Sequence, residues 1–413
     1  MRVLLLVQEL SIGGLPNYAL DLARALIACG DQVVLAHQGV SVPAHLDSQG
    51  VEIISLAGAG SAFAAVEQLR AWSPDVIHVH LCSDVALLEA LVSSGLALVR
   101  SFHDYTSMCL RRGRRRFAGD RCARALGWSC ALYGCVIGPP SAGGRVPRLM
   151  DLPGKLHERT LYQGFDAAVV GSQHMRRVLL SNGFAAERLS VVPYFSRFDH
   201  VAQGEPAYGK APGLATGDRP VRLLFTGQAV KGKGLEVLIR ALARVHGNWR
   251  LTAITSGPRL LPAKVLADRH GLSERIEFIE WLTPQKLAAY YRDADLFVLP
   301  SVWDDPGPLV GIEAMSFETP VLAFPVGGIP DYVQDGETGL LAAQVSARAL
   351  ATGLQRALDN PSDLTRLGRA ARVHVVRAHS RDGHIDTLRR LYLSCSKRVA
   401  AQSEQLITLQ ELG

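Results

Sequence analysis

Two carboxylates eight residues apart are the first side chains in this 413-residue chain whose spacing suggests chemistry. Asp305 lies in a Pro/Gly/Asp loop, 301–307. Glu313 lies one to two turns into an apolar-periodic segment, 308–317, which predicts a helix. The apolar run 296–299 just ahead reads as a buried parallel strand. Pro308 is expected at the first helical position, where its missing N–H costs nothing. The loop closes through Gly307, and the backbone N–H groups of Leu309 and Val310 make an anion site at the carboxyl end of a strand. Such a unit suits a ligand with phosphates and vicinal hydroxyls: amides for phosphate, one acid for a ribose diol, the other for sugar hydroxyls. A plainer reading stands beside it. Glu313 sits among Val310, Ile312, Ala314 and Met315, and a buried carboxylate there must be paired, most simply with an arginine.

A second candidate is the run Gly-Gln-Ala-Val-Lys-Gly-Lys-Gly at 227–234. It follows the strand 221–227 and precedes a helix expected to reach about His246. Amides and the flexible ammonium of Lys233 there would balance a diphosphate. The G-x-x-x-x-G-K-[ST] spacing of a P-loop is absent. Near the start, Gly13 and Gly14 link the strand 2–7 to a helix over about 16–28. The full G-x-G-x-x-G is missing, however, and the second strand ends in His37 and Gln38 rather than an acid, which argues against NAD. His103 falls at the carboxyl end of the strand 96–102, where ligands bind in such sheets. His78 and His80 alternate within the strand 75–80, so one is expected to face the core, and both read as structural.

The elements that must hold these groups follow from the alternation of strands (2–7, 51–56, 75–80, 96–102, 166–171, 189–193) with helical segments. The pattern starts afresh at 221 and continues through 249–254, 275–279 and 295–300. It argues for parallel sheets covered by helices on both faces, in two domains each long enough to bury a core. The expected limits are 1–195 and 221–380, with a linker at 196–220. A last segment, 381–413, would begin with a helix that returns to the first domain.

Residues 108–148 break the pattern as an irregular insertion, and a length of that kind inside a domain is usually functional. It carries Arg111, Arg112, Arg114, Arg115 and Arg116; a solvated charged loop is the commoner explanation of such a run, but its place beside a candidate site also suits an anionic acceptor or membrane surface. Cys109, Cys122, Cys130 and Cys135 lack the tight C-x2-C pairs of most zinc sites, so free thiols are preferred to zinc and no metal is expected. Asp293-Ala294-Asp295 spells a D-x-D, but it leads into a buried strand and reads as accidental. Composition is that of a soluble α/β protein, 48% hydrophobic and 20% charged. The net charge of +6 permits anionic partners without choosing among them. With no apolar run of transmembrane length and no signal-peptide layout at the start, the cytoplasm is the expected compartment.

The stretch 295–321, with a Trp before the first acid and a Pro after it, resembles the E-x7-E signature of glycosyltransferase family 4, here as D-x7-E. The resemblance covers nearly the whole chain. Lys233-Gly234 matches the family's Lys-Gly, and Gly13-Gly14 its double-Gly turn. It implies the GT-B fold, two Rossmann-like doubly wound domains facing a central cleft. It also implies a retaining, metal-independent transferase with no cofactor, which takes a nucleotide-diphosphate sugar and a glycan, lipid-linked or small-molecule acceptor, as in polysaccharide biosynthesis. Nucleic acid is not among the partners. On that reading Lys233 and the amides of Leu309 and Val310 meet charge on the leaving diphosphate. Glu313 takes the ribose, Asp305 and His103 orient the transferred sugar, and peripheral contact with the membrane inner face runs through the insertion. The departures are Gln228 for an Arg in the diphosphate site, Asp305 for Glu, Thr255 and Glu318 for Gly, and Asp331 for Glu. They keep two alternatives open: a nucleotide-sugar hydrolase or epimerase, and a catalytically silent nucleotide-sugar-binding protein.

Overall fold

The computed structural model describes residues 1–10, 14–43, 46, 48–116, 121–138, 146–198, 219–280 and 282–411. Gly13 and most of the 196–220 linker lie outside them. The chain divides into two compact units, Met1–Val192 with Asp382–Gly413, and Pro193–Arg381. Among the described residues no helix is long and apolar enough to cross a membrane.

The first unit runs β1 (Arg2–Val7), α1 (Gly14–Ala28), β2 (Gln32–His37), β3 (Glu52–Ser55), α2 (Ala62–Ala71), β4 (Val76–Leu81), α3 (Val85–Val92) and β5 (Leu98–Phe102). The insertion then supplies α4 (Ser129–Leu132), β6 (Ile137–Gly138) and β7 (Arg148–Leu149). Next come α5 (Leu152–Gln163), β8 (Ala167–Val170), α6 (Gln173–Ser181) and β9 (Leu189–Val191). Seven strands form a parallel sheet in the order β3-β2-β1-β4-β5-β8-β9. Val3 to Val7 are all buried, as a strand covered on both faces requires. The winding reverses between β1 and β4, so loops leaving β1, β4 and β5 share one edge. Ser172 caps α6 by accepting from the Met175 N–H at 3.2 Å.

His78 and His80 correct an expectation. Residues two apart in a strand share a face, so both turn the same way, and both are fully buried with ring centroids 4.1 Å apart.

The second unit runs β10 (Val221–Thr226), α7 (Leu235–Leu242), β11 (Trp249–Ile254), α8 (Leu260–Arg269), β12 (Ile276–Ile279), α9 (Pro284–Asp293), β13 (Leu296–Leu299) and α10 (Leu309–Ser316). It continues with β14 (Val321–Ala323), β15 (Gly339–Leu341), α11 (Ala347–Asp359) and α12 (Pro361–Ala378). Its sheet has the order β12-β11-β10-β13-β14-β15, again parallel. The reversal here falls between β10 and β13. That brings the turn after β10 beside the loop after β13, although some seventy residues separate them. Strand β15 was not foreseen, because three residues beginning with Gly are too few to carry a period. Helix α7 stops at Leu242, short of His246, where the chain turns through Gly247 at φ +108°.

Helix α13 (Arg381–Glu411) belongs to the first unit from Asp382 onward. It buries Ile385, Leu388, Tyr392 and Cys395 there, the Tyr392 hydroxyl lies 2.6 Å from His78 Nδ1, and Arg389 pairs with Asp31 at 2.9 Å.

Two polar residues explain themselves through the fold. Asp295 is buried and accepts from Arg219 Nη1 and Nη2 at 2.6 and 2.9 Å and from the Arg222 N–H at 2.9 Å. It is a structural anchor of the β10–β13 pair. Glu318 has φ +58°. Its N–H donates to Met315 O and that of Thr319 to Ala314 O, both at 3.1 Å. This is the Schellman closure of a helix end, which favours Gly at that position.

Candidate functional site

At the reversal point of the second sheet, two loops are locked together by backbone contacts. After β10 the chain makes a single 3-10 turn, Lys231–Lys233, and enters α7 through Gly234 at φ +75°. A Cβ on Gly234 would lie 1.8 Å from the Pro300 carbonyl oxygen, so only Gly lets the turn pack on the end of β13. The Val302 N–H donates to Gly232 O at 2.8 Å. The loop after β14 holds the other side. Gly327, at φ +58°, leaves room for the Asp305 carbonyl, which accepts from the Gly328 N–H at 2.8 Å. These contacts fix the backbone of both Lys233 and Asp305.

Their side chains meet. Lys233 Nζ lies 2.5 Å from Asp305 Oδ2, with the lysine a third exposed and the aspartate mostly buried. Exposed this far, the pair contributes about 1 kcal/mol or less to stability. Its interest is placement, since a cation and an anion stand together at the carboxyl end of the sheet, where its winding reverses. Gln228 is exposed at the head of the turn.

Pro308 flanks α10 rather than opening it. Its ψ of 115° is not helical, and its carbonyl accepts from the Tyr332 hydroxyl at 3.2 Å. Leu309 and Val310 are therefore the first two helical residues, whose amides precede the helix's own hydrogen-bond ladder. Gly307 packs on the Tyr194 ring.

Glu313 is 3% exposed. Arg197 Nε donates to its Oε1 at 2.8 Å and the Tyr291 hydroxyl to its Oε2 at 2.9 Å. The plainer sequence reading, an arginine neutralising Glu313, is what the fold contains, with a tyrosine added. Burial, and next the Glu313 charge, hold the Tyr291 phenol well above its ordinary pKa, so it remains a donor. Arg197 stood unnoticed because nothing local marks a linker arginine as the partner of a residue 116 positions away.

The first unit offers different chemistry. His103, just after β5, has its Nε2 3.0 Å from His80 Nδ1, and the two rings stack at 5.3 Å. Tyr18 lies edge-on to His103 at 5.1 Å, and its hydroxyl is 2.8 Å from His384 Nε2. Burial, and then the Arg100 charge, push His103 well below the usual histidine range. His80 is pushed the same way, by burial and then by His103. Arg100 is itself 1% exposed. It donates to Ser101 O at 2.6 Å and to the carbonyls of Val79 and His80, with its guanidinium over the Phe102 and Tyr162 rings. An arginine inside the apolar strand Leu-Val-Arg-Ser-Phe was the available sequence signal for this cluster. Gly14 opens α1 and is exposed, with open space where a Cβ would sit.

In the insertion, Cys109, Cys122, Cys130 and Cys135 are unbridged. Among the described residues no group of three or more His, Cys, Asp or Glu side chains could hold a metal ion. The arginine run is less exposed than a solvated loop would be: Arg112 is exposed, Arg111, Arg115 and Arg116 are half-buried, and Arg114 departs furthest. It is buried, with its guanidinium over Tyr105.

Two family models match in succession: "Glycosyltransferase Family 4" over residues 12–195 and "Glycosyl transferases group 1" over 212–374. A D-inositol 3-phosphate glycosyltransferase of Nocardia farcinica is 33% identical over 52% of this chain and 50% of its own length. The chain thus spans about half the length of that relative, and less of the matching protein from Corynebacterium glutamicum. Among solved structures, a glycosyltransferase from Rickettsia africae superposes with a TM-score of 0.71 at 15% identity, covering 95% of this chain and 98% of its own. Anabaena HepE in complex with UDP gives 0.67 at 16%, covering 98% and 100%.

Proposed function

This chain belongs to the family 4 glycosyltransferases of GT-B fold, and from that premise we propose that it transfers a sugar from a nucleotide-diphosphate donor to a hydroxyl acceptor. The transfer retains configuration and uses no metal ion. The observation that carries the proposal is the Lys233–Asp305 pair at the sheet reversal, beside the first turn of α10.

Breaking the bond from the sugar's anomeric carbon to the diphosphate leaves negative charge on the departing oxygen. Lys233 and the amides of Leu309 and Val310 are the groups placed to stabilise it, as fixed dipoles and charge do most effectively. The incoming hydroxyl bonds to the same face of that carbon, and its proton passes to the departing phosphate. Asp305, relieved of part of its lysine, accepts from the sugar hydroxyls. Glu313, oriented by Arg197 and Tyr291, accepts from the ribose. His103 is assigned to the transferred sugar as a neutral ring that exchanges hydrogen bonds with hydroxyls.

Metal independence draws on two points. Lys233 and the α10 amides would supply the positive charge that this reading needs at the diphosphate, and Asp295 of the D-x-D is engaged by Arg219 and the Arg222 amide. The UDP complex of the Anabaena structure makes UDP sugars the first donors to test. The inositol-phosphate relatives make a phosphorylated polyol the first acceptor.

Gln228, and the pairing of both acids within the protein, favour one competing reading, a silent nucleotide-sugar-binding protein. A thermal-shift screen followed by turnover assays separates the two. A ligand at about 100 times its dissociation constant adds about 2.7 kcal/mol. Stabilisation by a nucleotide-diphosphate sugar together with product formation supports the transferase, whereas stabilisation without product from any acceptor supports the silent protein.

A further inference from the structure

We propose that the outer face of the insertion docks on an anionic lipid bilayer, with its aliphatic and aromatic side chains entering the interface and its arginines meeting the headgroups. The segment is not a loose loop. Leu110, Leu126 and Leu152 form a small core of their own, against which Cys130, Val136, Met150 and Leu156 pack. Yet other apolar side chains of the same segment face outward: Trp128 is 69% exposed, Leu132 88% and Leu149 82%. Ile137 and Tyr133 are exposed with them. Counting Val146, a segment with a core available for burial that still presents six large apolar groups has the composition of a binding face.

Five of these groups fall in two clusters, Ile137 with Leu149 on the β6–β7 ladder and Trp128, Leu132 and Tyr133 at α4. Ile137 and Leu149 are direct cross-strand partners of the β6–β7 ladder and so share a face. Arg111 Nη1 donates to Ile137 O at 2.9 Å. The guanidiniums of Arg116 and Arg124 lie 5.0 and 4.8 Å over the Tyr133 ring, which directly follows α4 and Leu132. The charge of the segment is mostly positive, with the exposed Asp151 just beyond it. Residues 105–150 contain nine arginines and a single acid, Asp120. Among the described residues the exposed ones are Arg112, Arg121, Arg124 and Arg148, whereas Arg114 is turned inward.

Charge alone would serve any polyanion. Tryptophan and leucines exposed among arginines add the apolar insertion that a bilayer interface rewards and a sugar-phosphate backbone does not.

Co-sedimentation with phosphatidylcholine vesicles, with and without phosphatidylglycerol, tests the proposal. The full chain should pellet with the anionic vesicles at low salt and be released as salt rises. At ~5-fold per cation, replacing Arg112, Arg121, Arg124 and Arg148 together with Gln should weaken binding by ~100-fold or more. Leu132→Ser and Leu149→Ser should each weaken it by ~10-fold. Both leucines are exposed, so folding is expected to be unchanged, and circular dichroism checks this. Three outcomes would overturn the proposal. The wild-type chain could fail to pellet with either vesicle. The leucine variants could bind as tightly as wild type, which would make the face a plain polyanion site. Ultracentrifugation could instead show that the leucine changes abolish a dimer without touching vesicle binding, and the occupant would then be a second copy of the chain.

Discussion

The two sheets end in opposite chemistries at the edge where their winding reverses. The second unit presents paired charges, Lys233 with Asp305 and Arg197 with Glu313. The first presents neutral rings, His80 and His103 with Tyr18, around a buried Arg100 that uses backbone carbonyls as acceptors. One architecture therefore supports two kinds of recognition. Fixed charges suit a diphosphate whose charge grows during reaction, whereas uncharged imidazole and phenol groups suit hydroxyls that keep theirs. The difference is set by which side chains border the reversal, since the backbones are built alike.

Four expected outcomes would break or sharpen this contrast, beginning with the largest. Lys233→Ala should lower kcat by ~100-fold or more, while His103→Ala should cost less, because no full charge is lost at the first-unit edge. Comparable losses would erase the distinction drawn here. Glu313→Gln comes next. It leaves Arg197 beside a neutral amide and should destabilise the second unit by about 2 kcal/mol, less than a fully buried broken pair because Arg197 keeps some access to water. Calorimetry should also find weaker binding of the nucleotide diphosphate alone, and Asp305→Asn should spare that binding. The reverse pattern would exchange the roles of the two acids.

The third outcome concerns pH. Burial holds His78, His80 and His103 well below 6.5 in the folded chain, while the unfolded chain titrates near 6.5. Unfolding then takes up protons only below about pH 6.5, so stability is level above that value and falls as the pH drops. The second unit contributes in the same direction through His379, pushed down to about 4 by burial. Urea midpoints between ~pH 7.5 and ~pH 5.5 should fall, and His80→Gln should reduce the slope. An unchanged slope would remove the ring cluster from the pH response.

The smallest effect is Glu318→Gly. Relief of the left-handed backbone outweighs the extra freedom of Gly in the unfolded chain and a long ion pair to Arg372, for a net gain of about 0.5–1 kcal/mol. A lowered thermal midpoint would mean that the Arg372 contact matters more than the strain.

Sequence reasoning located much of this. Period-two and period-3.6 patterns placed nearly every strand and helix, because burial on both faces of a parallel sheet writes itself as short apolar runs. The D-x7-E and Lys-Gly spacings brought out Asp305, Glu313 and Lys233, because each lies in a strand–loop–helix joint whose local chemistry is unusual. What escaped was short or distant. Three-residue β15 carries no period, and the common face of His78 and His80 was misjudged although strand geometry alone decides it. The inward turn of Arg114 depends on Tyr105 being underneath it.

The sequence by itself determined the alternation of elements, the glycines that let the loops close, and the residue types at the strand ends, since all of these are set within a dozen consecutive residues. Only the tertiary structure decided the partners. Strand order puts the turn after β10 beside the loop after β13, and so joins Lys233 to Asp305. Passage of the chain through 193–198 brings Arg197 to Glu313, and α13 delivers His384 to Tyr18 and Tyr392 to His78. Pairings across dozens to hundreds of residues depend on the order in which strands are laid into a sheet, and no local pattern records that order.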